Sequence, residues 1–205
     1  MESMDIRNMG DADTLTDFIN YGVGLFPAGH YGLILWNHGG GPVGGYGSDS
    51  NFDGDGLSLE EIREALDHSV MADSAFDFVA FDACLMGSVE IAGCLEGNAD
   101  YVIASPELEP QDGYDYSCMA DLGDSLPSDM EWGEAVGRSM VDSYDACYAS
   151  GTAPVAMSLM DMKEYLAFHE IFHQYVDEIP EELRESLYRE LGMDRMKTVS
   201  YTHLR

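Results

Sequence analysis

The sequence predicts an α/β fold with a mainly parallel central sheet, carried as a single domain over residues 1–192. Two observations carry this. Apolar runs bounded by turn residues recur at Gly32–Trp36, 76–81, 101–105 and 154–160; each is of strand length and too continuous for a half-exposed strand, so they read as buried central strands. Between them lie helical patterns, the alternation expected of a parallel sheet covered on both faces.

In chain order, Asp13 or Thr14 begins the first helix, TLTDFINYG, with Leu15, Phe18 and Ile19 on one face. The first strand follows and ends in a glycine-rich stretch. Ser58 then opens LSLEEIREALDH: Glu61 completes a capping box and Leu59, Ile62 and Leu66 form the apolar stripe. Further helices are expected over 88–96, 131–149, 162–176 and 181–191, the last following Pro180. The final VSYTHLR breaks this acidic helical pattern. It resembles translated sequencing-adapter read-through, and residues 193–205 are read as a tail outside the domain.

Composition limits the partners. With 39 acidic against nine basic residues and a formal charge of −30, the surface repels phosphate backbones and anionic lipid, so nucleic acid is excluded as a natural partner. No run approaches the ~20 apolar residues of a membrane helix. Cys84, Cys94, Cys118 and Cys147 lack CxxC spacing and are too sparse for a disulfide framework. Cys94 and Cys147 fall in helical stretches and read as buried small hydrophobes.

Two strand ends carry chemistry. LILWNHGGG places His38 just past one strand, and DFVAFDACLMGSVE places Cys84 just past the next, before a helix expected to start near Met86. In open parallel sheets, ligands collect at this carboxyl edge. A thiol facing a helix amino terminus is activated as a nucleophile, and a histidine from the neighbouring strand end can exchange protons with the reacting groups. Gly39 and Gly40 allow a backbone N–H to approach a developing oxyanion, with the Cys84 N–H as second donor.

On LILWNHGGG and FDACLMGSVE, a His-Gly motif followed by an Asp-Ala-Cys motif, the sequence resembles the clostripain family of cysteine peptidases, within the group that includes caspases, legumains and gingipains. NMGDADTLTDFINYG, SLEEIREAL and YVIASPELEPQDGYDY support the resemblance, which covers about residues 8–161. It implies a caspase-like α/β/α sandwich in which Cys84 is the nucleophile, His38 the general acid/base and Gly39 an oxyanion donor. It also implies a bacterial protein that is secreted or held at the cell surface. Family members cut after arginine or lysine, and Asp82 matches the position of the acid that reads the basic side chain. A carboxylate there can meet a guanidinium bidentately. Of the acids in the loop after the third strand, Glu107, Glu109, Asp112 and Asp115, Asp112 is chosen as a second pocket acid. By the same resemblance a further core strand belongs before Asn8, so the chain is expected to be an incomplete fragment with an exposed sheet edge. Relatives are often processed after a basic residue between the two motifs; no Lys or Arg occurs between His38 and Arg63, so self-cleavage there is not expected.

A row of carboxylates raises a second question. Asp49, Asn51, Asp53, Asp55 and Glu60 carry the ligand spacing of a calcium loop, Asp55 as a carbonyl donor, although a glycine-rich coil rather than a helix precedes them. The alternative is that Asp, Asn and Gly make turns and Ser58 caps a helix whose first turn favours acids. The expected activity is cysteine endopeptidase, on a peptide or protein substrate with a basic residue before the scissile bond and with no cofactor required for the chemistry. Its rival is a catalytically inert calcium-binding or cell-surface interaction module on the same fold.

Overall fold

The computed structural model describes residues 6–122, 130–151, 155–180, 183 and 186. Helix α1 (Ala12–Leu25) leads to β1 (Gly32–Trp36), then a single helical turn, α2 (Gly41–Gly44), and a hairpin of β2 (Tyr46–Asp49) and β3 (Asp55–Leu57). There follow α3 (Leu59–Asp67), β4 (Phe78–Asp82), α4 (Val89–Cys94), β5 (Tyr101–Ala104), α5 (Trp132–Tyr148), β6 (Ser158–Asp161) and α6 (Met162–Glu178). The expected helix over 181–191, the start of the expected fourth strand at Pro154 and the tail from 193 lie outside the described residues, apart from Leu183 and Ser186, which are helical.

The main sheet has the order β1-β4-β5-β6, with β1 and β5 parallel to β4 and β6 antiparallel to β5. It is therefore mixed but mostly parallel. Strands β4 and β5 are buried along their whole length, as their apolar runs predict. The other two are not central: β1 and β6 form the edges, with half-buried or exposed positions. Continuity of the apolar run does not distinguish an edge from a centre when both faces of the strand are covered.

Period-two alternation sends side chains to opposite faces. On one face Phe78, Ala80, Tyr101 and Ile103 pack against Val136, Met140 and Tyr144 of α5 and against Tyr114. The other face presents Val79, Phe81, Val102 and Ala104, all fully buried. Helices α1, α3 and α4 pack side by side and bury Leu15, Ile19, Ile62, Leu66 and Ile91, which completes an α/β sandwich. Each large side chain buried this way contributes about 2 kcal/mol.

Local signals explain most element ends. The Asp11 carboxylate caps α1 by accepting from the Asp13 N–H, so the helix starts before the expected Asp13 or Thr14. Ser58 and Glu61 form the expected reciprocal capping box on α3. Arg63 of α3 donates to the carbonyls of Gly93 and Cys94 at 3.0 and 3.3 Å, satisfying the carboxyl end of α4. Two expected core residues are elsewhere: Phe18 is exposed beside a hollow at the β1 edge, and Cys147 is exposed on the outer side of α5. Cys94 is buried, donates to the Leu59 carbonyl and has its thiol pushed up to about 11, chiefly by burial.

The chain divides into two compact units, Met1–Glu164 and Tyr165–Arg205. All the described strands belong to the first. In the second, the rings of Tyr165 and His169 stack on α6, and His169 meets His173 one turn on at 2.9 Å between Nε2 atoms.

Candidate active site

The parallel register pairs Trp36 with Asp82, and the Asn37 N–H extends the ladder to the Asp82 carbonyl at 3.4 Å. Both chains therefore leave the sheet at the same level. His38 and Cys84, each two residues past its strand, line one cleft of about 620 Å³ together with Trp36, Asp82, Glu109 and Gly113.

The histidine is held through its backbone. Its N–H donates to the Asn37 side chain at 2.6 Å and its carbonyl accepts from the Gly47 N–H at 2.8 Å, while Gly39 bridges to Tyr46 of the hairpin. A Cβ on Gly39 would collide with the Cys84 carbonyl oxygen. Glycine is needed here for close backbone approach rather than for a turn.

The thiol is held from the opposite side. Cys84 Sγ accepts from the Glu109 N–H at 3.2 Å. Leu85 adopts a left-handed backbone at φ 65°, a conformation uncommon outside glycine, and its N–H donates to the Glu107 carbonyl at 3.0 Å. Gly87 bonds the Ser105 carbonyl at 2.7 Å, at a spacing a Cβ would prevent. These contacts keep residues 83–87 out of the helix. Helix α4 begins at Val89, capped by Ser88, rather than near Met86 as expected, so Cys84 precedes it by a tight loop.

Asp82 is 3% exposed at the floor of the cleft. Its Oδ2 accepts from the Tyr114 N–H at 3.1 Å and from the Tyr116 hydroxyl at 2.6 Å. Gly113, at φ 64°, makes this possible, because a Cβ would lie 2.7 Å from Asp82 Oδ1. The same turn, closed by Gly113 N–H to the Pro110 carbonyl, leaves Asp112 exposed and outside the cleft lining. The acid from this loop that does line the cleft is Glu109.

Sequence reasoning missed the tyrosines around these acids. Tyr46 is pushed up to about 12, by burial first and then by Asp82. Tyr114 and Tyr116 are raised for the same reasons, burial first, with contributions from Asp82 and Glu109. All three keep their protons at neutral pH, and Tyr116 serves Asp82 as a donor. The only hint in the sequence is the run GYDY after the acids.

The carboxylate row forms the β2–β3 hairpin. Asp49, paired with Asp55 across it, accepts from the Met9 and Asn51 N–H groups at 3.0 and 2.9 Å, bonds that hold its carboxyl below the usual range. Asp53 takes the left-handed turn position at φ 56°, Asp55 accepts from Asn8, and Glu60 stands in the first turn of α3. Asn51, Asp53, Asp55 and Glu60 are exposed. Among the described residues no group of three or more His, Cys, Asp or Glu side chains converges as a metal site. The one buried carboxylate of the row, Asp49, is engaged by backbone amides.

A profile of the clostripain family of C11 peptidases matches residues 1–204. Clostripain from Hathewaya histolytica is 30% identical over 194 residues, covering 77% of this chain and 36% of that protein. Among solved structures, a secreted C11 cysteine protease from Bacteroides thetaiotaomicron, in complex with an irreversible peptide inhibitor, is 27% identical at a TM-score of 0.66 over 80% of this chain and 48% of its own. An inactive zymogen C11 protease from Parabacteroides distasonis is 28% identical at a TM-score of 0.60, over 80% and 44%. The chain thus spans less than half the length of these relatives. It belongs to the clostripain family of cysteine peptidases.

Proposed function

We propose that the chain carries the site of a cysteine endopeptidase that cuts after arginine, and secondarily lysine. The observation that carries this reading is the shared cleft at the ends of β1 and β4, where a thiol, an imidazole and a buried carboxylate meet.

The Cys84 thiol gives up its proton to His38, Sγ attacks the scissile carbonyl carbon, and the C–O π pair moves onto oxygen. The N–H groups of Gly39 and Cys84 receive that oxyanion. As the tetrahedral centre collapses, the C–N bond breaks and His38 protonates the leaving amine, leaving a Cys84 thioester. Water then adds to the thioester with His38 accepting its proton, and the thiolate departs from the new carboxylic acid. Asp82 reads the guanidinium of the residue before the scissile bond, with Tyr116 and the Tyr114 amide fixing its carboxylate.

The setting proposed is bacterial and extracellular or at the cell surface, in keeping with the secreted relative. No described helix is long and apolar enough to cross a membrane. The chemistry proposed draws on side chains and amides of the chain itself, without calcium.

The test is hydrolysis of an arginyl fluorogenic peptide by wild type and Cys84→Ala, each with calcium or with chelator. The expected result is a loss of at least about 1,000-fold on substitution and no change with chelator. Equal rates from the two proteins, or calcium-dependent melting without activity, would favour an inert binding module.

A further inference from the structure

Helix α6 carries HEIFH over residues 169–173, the H-E-x-x-H spacing that on a helix sets two imidazoles one turn apart on one face. The peptidase reading makes no use of it. Both histidines lie in the second compact unit, whereas the cleft belongs to the first. The face is accessible to solvent, with His169 half-buried and His173 exposed.

The Nε2 atoms of His169 and His173 stand 2.9 Å apart, with ring centroids at 4.3 Å and planes crossing at 88°. Tyr165, one turn earlier, stacks on the His169 ring at 5.4 Å, and Phe172 meets the His173 ring at 6.3 Å. These contacts hold both rings in position, so ligation costs little further side-chain entropy. In the free pair one ring donates its Nε2–H to the Nε2 lone pair of the other.

We propose that His169 and His173 form a two-imidazole site for a divalent first-row transition metal, with Ni²⁺ or Cu²⁺ preferred to Zn²⁺. The ion takes the place of the shared proton. The donor ring moves its proton from Nε2 to Nδ1, both Nε2 lone pairs then face the ion, and no net proton is released.

The spacing sets the preference. Metal–imidazole bonds are about 2.0–2.1 Å long, so nitrogens this far apart subtend about 90° at the ion. That is the angle between neighbouring ligands in octahedral or tetragonal coordination, which suits Ni²⁺ and Cu²⁺, whereas tetrahedral Zn²⁺ wants its nitrogens about 3.3 Å apart. Among the described residues no third His, Cys, Asp or Glu converges with the pair, so water completes the shell. Hydrolytic use of the H-E-x-x-H motif needs three protein ligands and a positioned water. The site is therefore a binding site, and the exposed Glu170 adds negative charge rather than a general base. The formal charge of −30 concentrates divalent cations around the chain, and the imidazole pair gives them a directed place to bind.

The experiment is isothermal titration of the full chain with nickel chloride and, separately, zinc chloride. It uses the Cys84→Ala background, so that the cleft thiol does not compete, and about 0.15 M salt, which screens diffuse attraction to surface carboxylates. One Ni²⁺ per chain is expected in the tight phase, bound more strongly than Zn²⁺. His169→Ala and His173→Ala are each expected to weaken Ni²⁺ binding by at least about tenfold. His68→Ala, which removes an exposed imidazole from another helix, is expected to leave it unchanged. Ni²⁺ should also slow proteolysis within α6 by at least about tenfold, because the ion ties successive turns of the folded helix and does not bind the unfolded one as well. Tight Ni²⁺ binding that survives either α6 substitution overturns the proposal, as do equal loss in His68→Ala, tighter binding of Zn²⁺ or no tight binding at all. If the histidine variants do not fold, protection of α6 in the Cys84→Ala chain decides alone, and unchanged proteolysis with Ni²⁺ overturns the site.

Discussion

At Gly39 the two halves of the site touch, since the backbone after His38 passes against the Cys84 carbonyl with no room for a methyl group. Gly39→Ala is expected to lower stability by about 1–3 kcal/mol and activity by at least about tenfold, because relief requires one strand end to move. Gly44, with open space around its Cα, is the control: Gly44→Ala should change stability by less than about 0.5 kcal/mol. Urea unfolding of the two variants measures this, and equal midpoints would show that the close approach at Gly39 is unimportant. Individual placements were unevenly legible. That His38, Gly39, Cys84 and Asp82 come to one sheet edge was legible, because each sits at a fixed offset from an apolar strand. Which acid of the loop after β5 lines the cleft was not, because the choice among Glu107, Glu109, Asp112 and Asp115 depends on the Gly113 turn, which packs against Asp82. The left-handed Leu85 was equally hidden, since no local residue type signals it.

Helix α4 is six residues long, too short to be stable alone, and depends on its ends. Ser88 caps its start, and Arg63 reaches from α3 to the carbonyls at its finish. Arg63→Ala is expected to lower stability by about 1–2 kcal/mol, read from the urea midpoint, while leaving the rate per folded molecule unchanged. No shift in midpoint would mean that solvent serves those carbonyls equally well. Element types were legible where a local signal exists: the Ser58 capping box, the buried β4 and β5 runs and the long α5 all follow from pattern. The hairpin was not. Its strands are short, glycine-rich and polar, and its register depends on Asp49 accepting bonds from Met9 and Asn51. The same residue types that make these turns also carry the calcium-loop spacing, which is why spacing alone leaves the two readings side by side.

Across the whole molecule, a formal charge of −30 surrounds a cleft whose own walls are acidic. That charge attracts basic peptides over a distance of about 10 Å at moderate salt, which suits the basic side chain proposed for the cleft. The parallel register of β1 and β4 turns two separated motifs into one site, and this link between sheet topology and chemistry is the central claim. It is tested most directly by reacting the protein with a peptide acyloxymethyl ketone ending in arginine and locating the adduct by peptide mapping. Attack by the thiolate on the methylene carbon expels the carboxylate and leaves a thioether that marks the nucleophile. The account predicts the adduct on Cys84, faster for arginine than for glutamate at the reacting position, and lost in Asp82→Asn at equal reagent. Labelling spread over Cys118 and Cys147, or no preference for arginine, would contradict it.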